Sequence, residues 1–331
     1  MATETILTRP LGRSDIQISA MGLGCWAIGG VFWRDETPLG WGDVDDEESI
    51  RAVHRGMELG VNFFDTANVY GAGHSERVLA RAFKGRRDKV VIATKFSSIF
   101  DEETRQVTGN NHSPDSIRQQ CEESLRRLET DYIDLYQFHA NDYPAADALE
   151  IRETLEGLVK DGKIRYYGWS TDFPDRARVF AEGEHCVAIQ LQMNVMDDNP
   201  AVIAICEEFN LAAINRGPLA MGLLTGKYKP NTVVADNDVR GSLSPEWMKY
   251  FKDGKPSQEW LSKLDAVREI LTGEGRTLAQ GAIAWLWGRS EKTIPIPGFR
   301  TVAQVDENCG ALHKGALTPE QVQTIDELLE R

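Results

Sequence analysis

A short apolar run followed by an amphipathic stretch returns along nearly the whole 331-residue chain. VNFFD (61–65) precedes SERVLARAFKG, KVVIATKF (89–96) precedes SPDSIRQQCEESLRRLE, and YIDLYQFH (132–139) precedes ALEIRETLEGLVKDG. IRYYGWS (164–170), VAIQLQMN (187–194) and LAAIN (211–215) continue the series. MGLGC (21–25) opens it and TIPIPG (293–298) closes it, before VAQVDENCGAL. Runs rich in Val and Ile, apolar on both faces and alternating with helices, are what a buried parallel sheet requires. Eight such units with no composition break predict an α/β fold, a closed (β/α)8 TIM barrel forming one domain over 1–331. An open doubly wound sheet uses the same alternation and is the structural competitor.

Local signals place the elements. In the third unit Ser113 is an N-cap candidate and Pro114 a first helical residue, with Ile117, Cys121, Leu125 and Leu128 on one face. Residues 5–19 read as an N-terminal β-hairpin with Gly12 in its turn, covering the barrel bottom, and TPEQVQTIDELLER as an extra C-terminal helix. LAAIN leads into an irregular segment that ends at the helical LAQGAIAWLWG. The loop 26–43, WAIGGVFWRDETPLGWGD, shows neither helical nor strand periodicity and is long enough to suspect a function.

Charge narrows the partners. With 37 Lys and Arg against 51 Asp and Glu, the formal net charge is -14, which repels phosphate backbones and anionic membranes. A small-molecule partner is expected, in the cytoplasm, since no leader pattern or long apolar run is present. The five cysteines are scattered without a CxxC pair, so neither a disulfide framework nor a metal site is expected.

Barrel enzymes place their chemistry at the C-terminal ends of the strands. Those ends carry Cys25 and Trp26, Asp65, Lys95, His139, Ser170, Gln190 with Asn194, Gly217, and Gly298 with Arg300. Asp65, Lys95 and His139 end separate strands, and Tyr70 follows Asp65 in a glycine-flanked turn. A tyrosine hydroxyl titrates near 10 in water, too high to protonate an alkoxide readily at neutral pH. A neighbouring ammonium lowers that value, and a carboxylate holds the ammonium in place. A neutral His139 would donate a hydrogen bond to a carbonyl oxygen.

In DTANVYG, ATKF and YQFH the chain resembles the aldo-keto reductases, most closely the bacterial branch related to potassium-channel beta subunits. The resemblance runs from LGRSDIQISAMGLGCW to PGFRTVAQVDEN. It implies a catalytic tetrad of Asp65, Tyr70, Lys95 and His139, and NADPH/NADP+ as cofactor without a Rossmann fold. It further implies that Cys25, Trp26 and Asp65 border the cofactor and that Ser170, Thr171 and Gln190 surround the nicotinamide. Gly217, Pro218, Leu219, Met221, Lys227 and Arg240 would hold the pyrophosphate. Gly298, Arg300, Gln304, Glu307 and Asn308 would hold the adenosine, with Arg300 on the 2′-phosphate. A helix N-terminus after Gly298 suits an anion on independent grounds.

The sequence departs from that family pattern at Met193, which stands where relatives carry a stacking tyrosine, at Arg216, where they carry an aromatic residue, and at Thr171. Trp26, Phe32 and Trp33, with Tyr70 and His139, are candidate walls of a substrate pocket, Trp41 standing nearby. The aromatic residues of the loop would equally serve as a packing cluster at the barrel mouth. GLGCWA satisfies G-x-G-x-x-A, but the glycines and proline that follow give no helix for a Rossmann unit. The expected activity is reduction of aldehydes or ketones to alcohols, with Tyr70 as general acid. The alternatives are a sugar or alcohol dehydrogenase working in the oxidative direction, and a cofactor-binding regulatory subunit with little turnover.

Overall fold

The computed structural model describes residues 6–331. Eight parallel strands form one sheet: Leu23–Gly24, Phe63–Asp65, Val91–Phe96, Ile133–Phe138, Ile164–Ser170, Cys186–Gln192, Ala212–Arg216 and Thr293–Pro295, each hydrogen-bonded to the next in chain order. The sheet then closes on itself. Gly22 N donates to Pro295 O at 3.0 Å and Gly24 N to Pro297 O at 3.0 Å, with a parallel bridge between Gly24 and Gly298. Closure removes both sheet edges and decides against the open doubly wound alternative.

The two-residue period of a strand sorts the side chains. Phe63, Val91, Ala93, Leu135, Ala212, Ile214 and Ile294 form an apolar cluster in the lumen. Phe64, Ile92, Phe96, Tyr136, Phe138 and Ala213, one residue out of step, pack into the larger core beneath the helices. Continuing the lumen rows upward by two residues gives Asp65, Lys95, Gln137 and Arg216. The polar groups therefore share the barrel top because they share strand parity with the apolar plug below.

That plug is sealed from beneath by the hairpin Thr8–Pro10 with Gln17–Ser19. Residue 5, the first of the predicted hairpin segment, lies outside the described residues. Gly12 sits in the turn with φ of 56°, and a Cβ there would come within 2.1 Å of Val187 O, so the close approach requires glycine. The helix Pro114–Leu128 begins as expected, with Ser113 accepting from Ser116 N and with Ile117, Cys121, Leu125 and Leu128 buried. The C-terminal helix Pro319–Leu328 is present, opened by a Thr318/Gln321 capping box.

Three features differ from the sequence reading. Residues 26–43 hold a 3-10 turn at Ala27–Gly29 and a short hairpin, Trp33–Arg34 with Thr37–Pro38. This hairpin joins a second one, Ser98–Asp101 with Gln106–Asn110, in a four-stranded sheet beside the barrel mouth. The segment after LAAIN contains the helix Gln258–Thr272, whose buried Leu261, Leu264, Val267 and Leu271 lie at helical spacing. No described helix is long and apolar enough to cross a membrane.

Candidate active site

At the top of the lumen Lys95 is fully buried, and its Nζ lies 2.5 Å from Asp65 Oδ1, 2.7 Å from Thr66 O and 3.4 Å from the Tyr70 hydroxyl. The second oxygen of Asp65 accepts from Gln137 Nε2 at 3.0 Å and from Gln190 Nε2 at 2.8 Å. A carboxylate buried this deeply is sustained only by such a full set of donors. His139 closes the group, its ring edge-on to Tyr70 at a centroid distance of 6.0 Å. The structure thus brings Asp65, Tyr70, Lys95 and His139 together. It adds Gln137, which the sequence reading passed over although it lies two residues before His139 and so shares its face.

The electrostatics follow from burial and from these neighbours. Burial drives the His139 imidazole well below its ordinary value, and Lys95 and Arg216 add to the effect, so the ring is neutral at physiological pH. For Tyr70 the expected lowering is not the net result. Burial pushes the phenol up, Lys95 pulls it down, Asp65 pushes it up again, and the balance lies above the ordinary value. Tyr70 is therefore a protonated phenol throughout the neutral range, hydrogen-bonded to an ammonium. For Lys95, burial opposes the charge, but Asp65 and Tyr70 outweigh it, so the ammonium stays charged.

Trp26 lies over Tyr70 with near-parallel rings 5.8 Å apart, anchored by Nε1 donating to Leu39 O at 3.0 Å. Trp41 meets Trp26 edge-on at 5.3 Å. Phe32 is buried in a satellite cluster with Ala67, Val69 and Val107, against which Trp26 and Tyr70 pack, so it supports the site from behind. Trp33 is committed to the small sheet opposite Gln106, and among the described residues no ring contact joins it to Trp26 or Tyr70. Trp247 takes the outer position instead, 6.3 Å from Trp26 and 56% exposed. It comes from the irregular stretch before Gln258, where no periodicity marks it.

The residues assigned to the cofactor follow or end six of the eight strands. Ser170 and Gln190 are register partners on adjacent strands. Thr171 is turned to Asn141 O at 2.8 Å. The Cys25 thiol is buried in the outer core and donates to Leu23 O. Gly217 begins a tight segment through Pro218 and Leu219 in which Ala220 (φ 48°) and Met221 (φ 56°) adopt left-handed conformations without being glycine. Such strain, about 1–3 kcal/mol per residue, persists where a function holds it.

Arg240 pairs with Asp238 at 2.7 Å, bonds Tyr228 and Met221 O, and lies 4.4 Å over the Trp41 ring. Arg300 donates to Trp41 O at 3.0 Å and to Asp43 O, while Gln304 Oε1 accepts from Arg300 N. Lys227 is exposed along its length, yet its ammonium is drawn down by burial first, then by Arg240 and Arg300. The two guanidiniums are the more telling cause, since an exposed lysine loses little hydration. Asn308 donates to Gly298 O, Glu307 O accepts from Gln280, and Gly298 has open space above it, nothing lying closer to an added Cβ than Gly24 O at 3.9 Å.

Three clustered cations in an acidic chain, a strained glycine-rich turn, and the buried Trp41 Nε1 without a partner fit a polyanionic ligand running from Arg300 towards Tyr70. The N-terminus of the helix Val302–Cys309, expected to receive an anion, already has one, since Glu48 Oε1 accepts from Val302 N at 2.9 Å. Met193 is fully buried outside the lumen with its sulfur 3.6 Å from Asn215 Nδ2, so it does not reach the stacking position. The group at the cleft is Arg216. No cluster of His, Cys, Asp or Glu among the described residues is arranged to hold a metal.

Comparison with known proteins bears on this arrangement. The model of the Aldo/keto reductase family matches residues 20–330. The uncharacterized oxidoreductase YqkF of Bacillus subtilis is 30% identical, the match covering 96% of this chain and 94% of the relative. The aldo-keto reductase yakc of Schizosaccharomyces pombe, whose name carries NADP(+), is 30% identical over 93% of this chain and 87% of the relative. Among solved structures, a glycerol dehydrogenase from Gluconobacter oxydans superposes with a TM-score of 0.81 at 30% identity, covering 100% of this chain and 96% of the other.

Proposed function

The chain belongs to the aldo/keto reductase family and is an oxidoreductase of the carbonyl/alcohol type, and on that premise we propose that it reduces aldehydes or ketones to alcohols at the expense of NADPH, with Tyr70 as the proton donor. The observation that carries the reading is the contact chain from Asp65 through Lys95 to the Tyr70 hydroxyl, at 2.5 and 3.4 Å, beside a neutral His139. When bound, NADPH supplies the hydride.

This chain's residues do the rest. His139 donates a hydrogen bond that directs the carbonyl oxygen towards Tyr70, and Tyr70 delivers its proton to that oxygen as the carbon accepts the hydride. Lys95 stabilises the resulting phenolate until solvent returns the proton. Lys227, Arg240 and Arg300 hold the phosphates, and Arg300 together with its neighbours favours the 2′-phosphate. Trp26 and Trp247 line the approach, which suits substrates with an apolar or aromatic body.

The glycerol dehydrogenase match keeps alcohol oxidation as a second reading. A phenol held above its ordinary value carries its proton at neutral pH and so is present in the form that reduction needs, whereas oxidation needs the phenolate, which forms only at higher pH; this places reduction first. Carbonyl-dependent loss of NADPH absorbance, measured with NADPH and NADH against a panel of aldehydes and ketones, tests the proposal. Turnover with NADPH preferred is expected. Tight NADPH binding without turnover on any member would instead support a cofactor-binding regulatory subunit.

A further inference from the structure

Arg216 has no part in the mechanism above, yet it stands in the cleft. It ends the strand Ala212–Arg216, in the lumen row above Ala212 and Ile214, and its register partner is Gln192. Its guanidinium bonds Gln192 Oε1 at 3.1 Å and pairs with Asp172, whose other oxygen accepts from Gln192 N at 2.6 Å. By strand parity Arg216 ends the same lumen rows that carry Asp65, Lys95 and Gln137 at the barrel top, and Asp172 is its counter-charge.

The next residue, Gly217, opens the strained turn that leads to Lys227 and Arg240. Any dinucleotide whose phosphates rest on those cations and whose reactive ring reaches Tyr70 must cross the end of this strand. We infer that Arg216 lies against the nicotinamide and discriminates between its charge states, so that the protein binds NADPH more tightly than NADP+. This rests on the reading of the site as an NADP(H) site.

The physical basis is the charge of the ring. The oxidised nicotinamide is a cation and the reduced one is neutral, while their phosphates are identical. A planar guanidinium covers a flat ring in either state, but against the cation it adds repulsion that Asp172 only partly cancels. A preference of about tenfold is expected from one partly screened pair of like charges. On a two-electron couple tenfold corresponds to about 30 mV, making the bound couple more positive. The consequence for turnover is that spent NADP+ leaves readily and NADPH replaces it, which matches a reductive role.

Titration of the whole protein with NADPH and with NADP+, followed by quenching of tryptophan fluorescence, measures the ratio of the two dissociation constants. The ratio should be about ten in the native protein, fall about tenfold in Arg216→Gln, and rise in Asp172→Asn, where the counter-charge is removed and the accepting oxygen kept. Circular dichroism establishes that both variants are folded; should Arg216→Gln fail to fold, the Asp172→Asn ratio decides alone. An unchanged ratio in variants that still bind both nucleotides overturns the inference and leaves the site reading standing. Failure of the native protein to bind either nucleotide overturns both.

Discussion

Replacing Lys95 by Met removes the ammonium while keeping the length of the side chain, and the structure allows its two effects to be separated. Lys95 is fully buried, and its Nζ is shared among Asp65, Thr66 O and Tyr70. Without it, Asp65 remains buried with only Gln137 and Gln190 as side-chain donors. Removing one member of a buried pair costs about 3–5 kcal/mol of stability, because the remaining charge is uncompensated. Removing Asp65 as well, in Lys95→Met/Asp65→Asn, should recover most of that loss, since neutral pairs avoid the desolvation cost.

Activity should behave differently. In the single variant Tyr70 loses the group that pulls its phenol down and keeps Asp65, which pushes it up. The double variant still lacks the ammonium that stabilises the phenolate. Both should lose about 10²–10⁴ in the hydride-transfer rate, the usual contribution of general acid catalysis. Urea unfolding and single-turnover oxidation of NADPH measure the two quantities. Turnover within threefold of native in either variant, or a double variant no more stable than the single, would refute the reasoning.

Further outcomes are expected. Because His139 is neutral well below its ordinary value, the reduction rate should show no inflection from it between about pH 5 and 8. Truncating the exposed Trp247 to Ala should raise KM for bulky aromatic aldehydes several-fold and leave small aldehydes nearly unaffected, a comparison that steady-state kinetics on both classes would check. The fully buried Glu76–Arg127 pair, 2.6 Å apart beneath the hairpin at the mouth, should make Glu76→Gln cost about 3–5 kcal/mol in urea unfolding. At the barrel bottom, burial pushes the Glu156 carboxyl up, but hydrogen bonds from Tyr167 and His185 outweigh it and hold it below its ordinary value. The native state thus binds this proton less tightly than the unfolded chain. Its stabilisation is full above the unfolded value near 4.3 and lost as pH falls through that value towards the folded one, so Glu156→Gln should flatten the acid limb of Tm against pH.

The barrel and the convergence of Asp65, Lys95 and His139 at its top were readable because both depend on strand period. A two-residue alternation fixes which side chains enter the lumen, and the apolar residues at 63, 91, 93 and 135 therefore predict where 65, 95 and 137 point. The turn holding Tyr70 has glycines at 71 and 73, both with positive φ, which the sequence displays directly. The mouth was harder. The hairpin 98–110 is polar on its outer face and is held by Glu102 reaching Arg127 at 3.1 Å, a contact that no local pattern encodes. Trp33 and Phe32 were drawn into sheet and satellite packing, while Trp247, far along the chain, reached the site. The net rise of the Tyr70 phenol likewise depends on depth of burial, which three neighbouring residue names do not convey.

Tyr70→Phe removes one oxygen from the site and leaves Lys227, Arg240, Arg300 and the stack of Trp26 on the ring unchanged. Single-turnover mixing of this variant with NADPH and a reactive aldehyde, alongside a binding titration, measures the central claim most directly. The account predicts native-like affinity for NADPH and a hydride-transfer rate reduced by at least about 10². A rate close to native in the folded, NADPH-bound variant would contradict it.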